Sequence, residues 1–370
     1  MQLIIDMAIE NKKQNMDSKS FEGFSCPIPI ANKDRVAIGH GSGGTLTKSL
    51  IESVFYQSFG NPILNAGNDF AAISALEIGH KSIVTAVDAH VVDPLFFPGG
   101  DIGRLAIAGT VNDISMSGAT PKYITSSFII EEGFPIEDLK QIVRSMQNCA
   151  AEAGVLIIAG DTKVVEKGKA DKLFISTAGI GLLDKDLVIN GSQAAVGDKV
   201  ILSGTMGDHG IAVLAARNEL NFNTTVESDI APLNGLIQAA IQATHHIHVL
   251  RDPTRGGVAT TLNEIALQSQ VNIVLNEDLL PVHKQVQAAC DILGFDPLYV
   301  ANEGKVLLIV PESETEPLLD CLHHHPYGKN ATIIGQVEKA EGAPLVLMKT
   351  SIGGTRIVDM LTGAMLPRIC

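Results

Sequence analysis

Residues 136–163 read IEDLKQIVRSMQNCAAEAGVLIIAGDTK, and this stretch decides the fold class. Its first part places apolar residues on one helical face, at Leu139, Ile142, Val143 and Met146. That spacing predicts an amphipathic helix over 136–153. The next apolar run, 155–159, has the length of a buried strand and leads into Gly-Asp-Thr-Lys. A long helix followed directly by a buried strand indicates mixed α and β structure.

The surrounding sequence extends this alternation into two blocks. Between 36 and 188 we predict a helix over 101–116 and strands over 82–87, 123–130 and 173–183. A Gly- and Asn-containing stretch, 190–198, predicts a boundary. A second block, 189–350, follows, so we predict two domains and an α+β fold, with α/β still open. Residues 1–35 are predicted to be a mobile extension, and 351–370 a flexible tail.

Composition excludes several functional classes. The chain has 27 basic and 41 acidic residues, a net charge of −14. Nucleic-acid surfaces and anionic membranes need clustered basic residues, so neither is an expected partner. We find no signal peptide and no apolar run long enough to span a membrane, and the five cysteines include no CxxC pair. These features favour a reducing cytoplasm.

A glycine-rich string, His40-Gly41-Ser42-Gly43-Gly44, precedes a predicted helix over 46–59. Glycines let backbone N–H groups approach an anion, and a helix N-terminus adds a favourable potential. The string is therefore a candidate phosphate site. A tight turn that merely begins the helix is the alternative.

Carboxylates recur at or near predicted element ends. These candidates are Asp69, Asp88, Asp113 in the pair Asn112-Asp113, and Asp161 in Gly160-Asp161-Thr162-Lys163. Carboxylates at strand exits can converge on Mg²⁺ and phosphate, although each alone is more often a cap or turn residue. We expect the Asp113 carboxylate to be buried in an apolar helix, which is costly without a partner. Lys163 is expected to neutralise a phosphoryl group, with a solvated surface lysine as the alternative.

Two further strings lie in the second block. Arg251-Asp252-Pro253-Thr254-Arg255-Gly256-Gly257 precedes a helix and suits an anionic ligand, unless Arg251 and Asp252 merely pair to organise the loop. In Ala301-Asn302-Glu303-Gly304-Lys305, Glu303 is a candidate general base if it is partly desolvated, and otherwise a turn residue.

The chain ends in Leu366-Pro367-Arg368-Ile369-Cys370. A lone cysteine is usually a small buried hydrophobe, but a terminal residue is rarely part of a core. Ten extended residues span about 30 Å, enough to carry a thiol into a neighbouring pocket. We therefore interpret Cys370 as a functional thiol.

Together these motifs resemble the HypE family of hydrogenase maturation factors from about residue 36 to 370. The matching strings include the glycine-rich string, 92–103, Gly109-Thr110-Val111-Asn112-Asp113, Gly160-Asp161-Thr162-Lys163, Gly207-Asp208-His209-Gly210, both strings of the second block, and the terminal Pro-Arg-Ile-Cys. The terminal cysteine separates this family from the wider superfamily of AIR synthetases, selenophosphate synthetases and thiamine-monophosphate kinases. Asn68-Asp69 departs from the tandem-Asp form of that superfamily.

The resemblance implies a PurM-like pair of domains, with the N-terminal domains of two subunits forming an intersubunit β-barrel in a homodimer. It implies an ATP-dependent dehydratase whose own Cys370, carbamoylated by HypF, becomes a thiocyanate. The cyanide would then pass to iron on a HypC–HypD complex, for [NiFe]-hydrogenase.

The resemblance also implies residue roles. The implied catalytic residues are Cys370, Glu303 as the base and Lys163 as the phosphate-neutralising cation. The implied magnesium ligands are Asp88, Asp113, Asp161 and Asp69. The implied ATP-binding residues are His40, Gly41, Gly43, Gly44, Asp88, Asn112, Asp113, Asp161, Thr162, Arg251 and Asp252. Two alternatives stay open: a carrier whose Cys370 only shuttles a group, and a small-molecule kinase or synthetase of the same superfamily.

Overall fold

The fold is described from a computed structural model, over residues 34–41, 49–66, 81–217 and 225–360. Two sheets organise these residues. The first has four strands and the second has seven. A two-stranded ribbon, formed by Phe96–Phe97 (β2) and Gly100–Asp101 (β3), precedes the first long helix in the chain.

The first sheet combines antiparallel and parallel pairing. Its strands are β1 (Ser82–His90), β4 (Thr120–Glu131), β5 (Leu156–Val165) and β6 (Leu173–Leu183). Strand β6 pairs antiparallel with both β1 and β4, whereas β4 and β5 run parallel. The amphipathic helix over 136–153 connects β4 to β5. Parallel neighbouring strands need a long crossover connection of this kind.

The described residues of this half include helices α1 (Tyr56–Phe59), which follows a π-helical segment over Ile51–Phe55, α2 (Ile102–Ser115) and α3 (Ile136–Ala153). Helix α3 begins with Glu137 and Asp138, which suit the helix dipole, and ends at Gly154 in the left-handed conformation. Its predicted apolar face is buried. Helix α2 is apolar nearly all round because it is enclosed by protein on most sides.

The second half packs helices on both faces of its sheet. The strands are β7 (Lys199–Leu202), β8 (Val249–Arg251), β9 (Val271–Asn276), β10 (Leu307–Val310), β11 (Thr332–Lys339), β12 (Val346–Lys349) and β13 (Thr355–Ile357). The helices are α4 (Asp208–Ala216), α5 (Asn234–Ala243), α6 (Gly257–Ser269), α7 (Lys284–Leu293) and α8 (Thr315–His324). Val200 packs with α6 in one core, and Ile201 with α5 and α8 in another. Because both faces of β7 are covered, its residues 200–202 are all apolar. Across the sheet the seven strands lie in the order β13-β12-β9-β11-β7-β10-β8.

Several predicted bounds differ from the structure. Helix α8 was not predicted from sequence, because Pro317 and the histidines at 323–325 obscure its apolar face. The predicted tail begins too early, since β13 pairs with β12 and Val358 is fully buried. At the other end, the Arg35 guanidinium donates to the Gly133 carbonyl, so ordered structure begins before residue 36. No helix among the described residues is long and apolar enough to cross a membrane.

A buried histidine in α4 makes stability depend on pH. His209 is fully buried, its Nδ1 lies 2.8 Å from Ser228 Oγ, and burial lowers its pKa from 6.5 to about 4, although Asp229 acts in the opposite sense. Below about pH 6.5 the unfolded chain therefore takes up a proton that the native chain refuses. The free energy of unfolding therefore decreases as pH falls from about 6.5 to about 4, the pKa of His209 in the folded chain.

We expect the free energy of unfolding of the wild type to fall by about 2 kcal/mol more than that of His209→Gln between about pH 7.5 and pH 5. Urea unfolding at both pH values measures this difference. His324→Gln, at an exposed position, is the matched control. Parallel pH profiles for wild type and His209→Gln would contradict the assignment.

Candidate active site

A cleft lies where the two halves meet. It is lined by Asp88, Ala89, His90, Leu105, Gly109 and Asp113 from the first half, and by Asp252, Thr254, Arg255 and Glu303 from the second. Four of these residues are carboxylates that sequence analysis had singled out separately. Tertiary folding therefore brings Asp88, Asp113, Asp252 and Glu303 to one place.

Asp88 lies within β1, not at its end, because the strand continues to His90. The prediction that Asp88 terminates a strand is therefore wrong. Asp88 and His90 point to the same side of β1, and His90 Nε2 lies 3.6 Å from Asp88 Oδ2. A Cβ on Gly109 would lie 3.1 Å from Asp88 Oδ2 and 3.2 Å from His90 Cε1. Gly109 thus gives α2 room to pack against both side chains.

Asn112 and Asp113 differ in environment although they are neighbours in α2. The Asn112 side chain is buried and bridges the halves: its Nδ2 donates to the Ala231 carbonyl at 3.0 Å, and its Oδ1 accepts from the Leu233 N–H at 2.8 Å. Asp113 is exposed toward the cleft, so the expectation of a buried Asp113 carboxylate is wrong. Helical geometry explains the difference, because consecutive residues point in directions about 100° apart.

The loop from β8 to α6 carries Arg251 and Asp252. Arg251 forms an ion pair with Glu264 of α6, so the loop is not organised by a pair between Arg251 and Asp252. Gly257 begins α6 with φ of +61°, and a Cβ there would lie 2.5 Å from the Leu298 carbonyl oxygen. The glycine pair therefore allows the loop to approach the segment that precedes Glu303.

The Glu303 loop is anchored on both sides. The Asn302 side chain accepts from the Gly207 N–H at 2.8 Å and donates to the Pro253 carbonyl at 2.9 Å. A Cβ on Gly304 would lie 1.8 Å from the Asp229 carbonyl oxygen, so only glycine fits. Glu303 itself is only 7% exposed, which makes it a desolvated carboxylate and not a solvated turn residue.

Burial and mutual repulsion raise the proton affinity of the cleft. Desolvation by the surrounding protein is the largest cause in each case, followed by neighbouring carboxylates for Glu303 and Asp113. It raises the pKa of Asp252 to about 6 and that of Glu303 well above its usual value, and it raises the pKa of Asp113 to about 7 although part of Asp113 reaches solvent. Arg251 and Arg255 oppose the shift at Asp113. A site of this kind favours a bound cation or holds protons.

Asp161, Thr162 and Lys163 lie inside β5, so the prediction that Asp161 follows a strand is wrong. The register aligns Asp161 with Ser127, Ser176 and Ala89 across the sheet, one position from the row of Asp88. Strand alternation therefore puts Asp161 and Lys163 on the opposite face of the first sheet from Asp88. Within one chain these residues do not join the junction cleft.

Asp161 and Thr162 line a second cleft, between residues 51–64 and strands β4 and β5. Aromatic side chains Phe55, Tyr56, Phe59 and Phe128 form much of its wall. The hydroxyl of Ser126, a residue only 4% exposed, lines this cleft without a hydrogen-bond partner among the described residues. An aromatic wall beside an unsatisfied polar atom suits a flat ring with a polar edge.

The remaining predicted residues are partly described. His40 is buried in a 3-10 turn over Ile38–Gly41, where its Nδ1 accepts from the Ala37 N–H at 2.9 Å. Gly43, Gly44, Asp69 and Cys370 lie outside the described residues. Their roles stay predictions.

His90 and Asp229 are site residues that were not predicted from the sequence. His90 could have been found, because it follows Asp88 by two residues in a strand and therefore points to the same side. No sequence pattern points to Asp229, since only the folded chain brings its carboxylate to the Glu303 backbone, at 3.0 Å.

The donor set suits a hard cation without enclosing one. Carboxylate oxygens are the ligands that Mg²⁺ prefers, and four carboxylates line this cleft. Among the described residues, no three His, Cys, Asp or Glu side chains form a ready metal cage. This agrees with the usual binding of Mg²⁺ through one or two carboxylates plus substrate phosphates.

Comparison with known proteins identifies the relatives of this chain. Residues 67–183 match the family model "AIR synthase related protein, N-terminal domain", and 195–347 match its C-terminal counterpart. Carbamoyl dehydratase HypE of Cupriavidus necator is 51% identical over 348 residues, covering 94% of this chain and 98% of the relative.

Two solved structures are also similar. A hydrogenase maturation protein HypE in complex with ATP has a TM-score of 0.85 and 46% identity, covering 90% of this chain and 99% of that one. The HypE chain of a HypE–HypF complex has a TM-score of 0.73 and 50% identity, covering 85% of this chain and all of that one. The two PurM-like domains and the high identity over nearly the whole length lead to one conclusion: the chain belongs to the HypE family of carbamoyl dehydratases.

Proposed function

We propose that this chain is an ATP-dependent carbamoyl dehydratase that converts an S-carbamoyl group on its own Cys370 into a thiocyanate. The observation that carries the proposal is the junction cleft, where a buried Glu303 faces three other carboxylates in a chain 51% identical to a carbamoyl dehydratase. The product would supply the cyanide ligand of a [NiFe]-hydrogenase iron centre.

The chemistry needs a phosphoryl donor and a base. The carbamoyl oxygen is a poor leaving group, so it attacks the γ-phosphorus of ATP, and ADP departs. One N–H proton is lost as the C=N bond forms. Removal of the second N–H proton then expels phosphate and forms C≡N. Glu303 suits the role of base because it is a buried carboxylic side chain that lines the cleft together with Asp88 and Asp113.

Asp88 and Asp113 would hold magnesium at this cleft, assisted by the phosphates of ATP. Mg²⁺ there would neutralise charge on the transferring phosphoryl group. The raised pKa of Asp113 supports a cation-binding role, because a nearby cation would stabilise its ionised form.

The aromatic cleft beside β5 supports a place for the adenine of ATP. The Ser126 hydroxyl would meet the polar edge of the base, and Asp161 and Thr162 line the same cleft. ATP binding itself agrees with the ATP complex of the 46% identical HypE.

HypF is the proposed carbamoyl donor, since the similar HypE–HypF complex joins the two proteins. A HypC–HypD complex is the proposed acceptor of the cyanide, on the family resemblance alone. A free thiol that serves as a substrate handle suits a reducing cytoplasm, where we place the protein.

We also propose a homodimer formed through the outer face of the first sheet. This face exposes Ile83, Val87 and Ile129, with Val87 72% exposed, and several large apolar side chains exposed on one face favour an interaction site. Asp161 and Lys163 lie on the same face, so a second copy packed there would enclose them. This is the face on which we place the intersubunit β-barrel that the family resemblance implies.

Val87→Glu combined with Ile129→Glu is expected to convert the dimer to a monomer, because unpaired charges would be buried at the interface. Light scattering after size-exclusion chromatography measures the mass. Ile292→Glu, on α7 and equally exposed at 72%, is the matched control and should stay dimeric. A wild-type monomer, or a dimer that survives the double change, would refute this interface.

Mass spectrometry of the C-terminal peptide tests the proposed function. The chain is incubated with carbamoyl phosphate, HypF and Mg-ATP, and parallel samples omit ATP or contain EDTA. We expect carbamoylated Cys370 to lose one water only when Mg-ATP is present.

The same experiment separates the alternatives. A carbamoyl peptide that accumulates unchanged with Mg-ATP would indicate a carrier. An unmodified peptide together with steady ATP hydrolysis on a small-molecule acceptor would indicate a kinase or synthetase.

A further inference from the structure

A buried ion pair lies directly behind Glu303. Asp229 and Lys305 are joined by a 2.9 Å contact from Nζ to Oδ2, and their side chains are only 4% and 11% exposed. A buried ion pair is a weak stabilising device, since desolvation offsets much of the attraction. Its position relative to Glu303 therefore calls for another explanation.

The two oxygens of Asp229 have different partners. Oδ2 accepts from Lys305, while Oδ1 accepts from the backbone N–H of Glu303 at 3.0 Å. The ammonium group thus fixes the carboxylate in a single orientation, and that orientation directs the free oxygen at Glu303. Charge-assisted hydrogen bonds of this type are among the stronger ones in proteins.

The carbonyl side of the same residue is also held. The Glu303 carbonyl accepts from Ala231 N–H and from Asn112 Nδ2, both at 3.4 Å. Gly304 lets the 229–231 segment lie against the loop without a steric clash. Asn112 belongs to the first half, so these contacts tie the Glu303 backbone to the helix that carries Asp113.

We propose that Asp229, oriented by Lys305, is a positioning residue that fixes the Glu303 backbone and thereby aims its carboxylate into the junction cleft. The inference rests on the proposed role of Glu303 as base. Misplacing a reacting group by about 1 Å costs on the order of 100-fold in rate, which sets the size of the expected effect.

Two double variants test the hydrogen bond apart from the charge. Asp229→Leu with Lys305→Met replaces the pair by apolar groups of similar shape and removes the hydrogen bond to Glu303. Asp229→Asn with Lys305→Met also removes both charges, but keeps an oxygen that can accept from Glu303 N–H. Both pairs are neutral, so neither leaves an unpaired buried charge.

We expect the Leu/Met variant to lose on the order of 100-fold in kcat for dehydration, with KM for ATP unchanged, and the Asn/Met variant to recover most of the rate. Asp198→Asn is the matched control for general destabilisation. Asp198 is also buried, accepts from the Ala195 N–H and pairs with His248, but it does not line the cleft.

Equal rates in the Leu/Met variant and the Asp198→Asn control would overturn the proposal, as would equal losses in both double variants. Hydrogen exchange at the Glu303 amide gives a readout independent of activity. It should accelerate only in the Leu/Met variant, and unchanged protection would also overturn the proposal. If Glu303→Gln keeps full activity, the base role fails, while faster exchange in the Leu/Met variant still identifies the Asp229 contact.

Discussion

Replacing Glu303 by glutamine is expected to slow dehydration about 100-fold or more, while binding of ATP stays unchanged. Glutamine has nearly the same shape and cannot accept a proton at neutral pH. Glu303 is only 7% exposed and lines the cleft, which makes it the buried carboxylic side chain best placed to act as a base there.

The measurement needs separate assays of chemistry and binding. Single-turnover conversion of the carbamoylated protein gives the rate of dehydration, and calorimetric titration gives the affinity for Mg-ATP. Glu303→Asp keeps the carboxylate but shortens it by one methylene, so an intermediate rate is expected. If Glu303→Gln weakened ATP binding as much as it slowed the reaction, Glu303 would be a nucleotide ligand and not the base.

Cys370→Ala is expected to abolish formation of the thiocyanate completely, because the sulfur itself carries the carbamoyl group. From Met360, the last described residue, ten further residues reach at most about 33–36 Å. This length is the upper limit on the distance between Met360 and the Cys370 sulfur.

Peptide mass spectrometry after incubation with carbamoyl phosphate, HypF and Mg-ATP detects the product. Cys321→Ala removes a half-buried thiol instead and should leave thiocyanate formation intact. The melting temperature of Cys370→Ala should equal that of wild type. A fall of several degrees would mean that Cys370 belongs to a core, and any thiocyanate on another cysteine would refute the assignment.

Local patterns predicted much of the secondary structure, because the spacing of apolar residues reflects which side of a helix or strand is buried in the core. Helix α3 and strand β5 follow from the spacing in 136–163. The same signal failed at α8, where Pro317 and three histidines interrupt the apolar face. It also misplaced the ends of β1 and β5, where Asp88 and Asp161 lie inside the strand. From sequence alone, a polar residue after an apolar run looks like the end of the strand, because the pairing with neighbouring strands is unknown.

Site chemistry could be predicted only as residue types in separate motifs. Sequence indicated carboxylates at Asp88, Asp113, Asp252 and Glu303, and the fold brings all four to the junction cleft. It did not indicate that Asp161 lies on the other face of the sheet, because the face depends on the bulge and register that pair β5 with β4.

The family and its reaction were readable in the sequence, because they depend on motifs and a terminal cysteine that need no coordinates. The grouping of the carboxylates, the exposure of Asp113 and the contact of Asp229 with Glu303 were decided by tertiary structure alone. The physical reason is that these groups come from segments far apart in sequence. Only the packing of the two halves determines which of them become neighbours, how exposed they are to solvent and which hydrogen bonds they form.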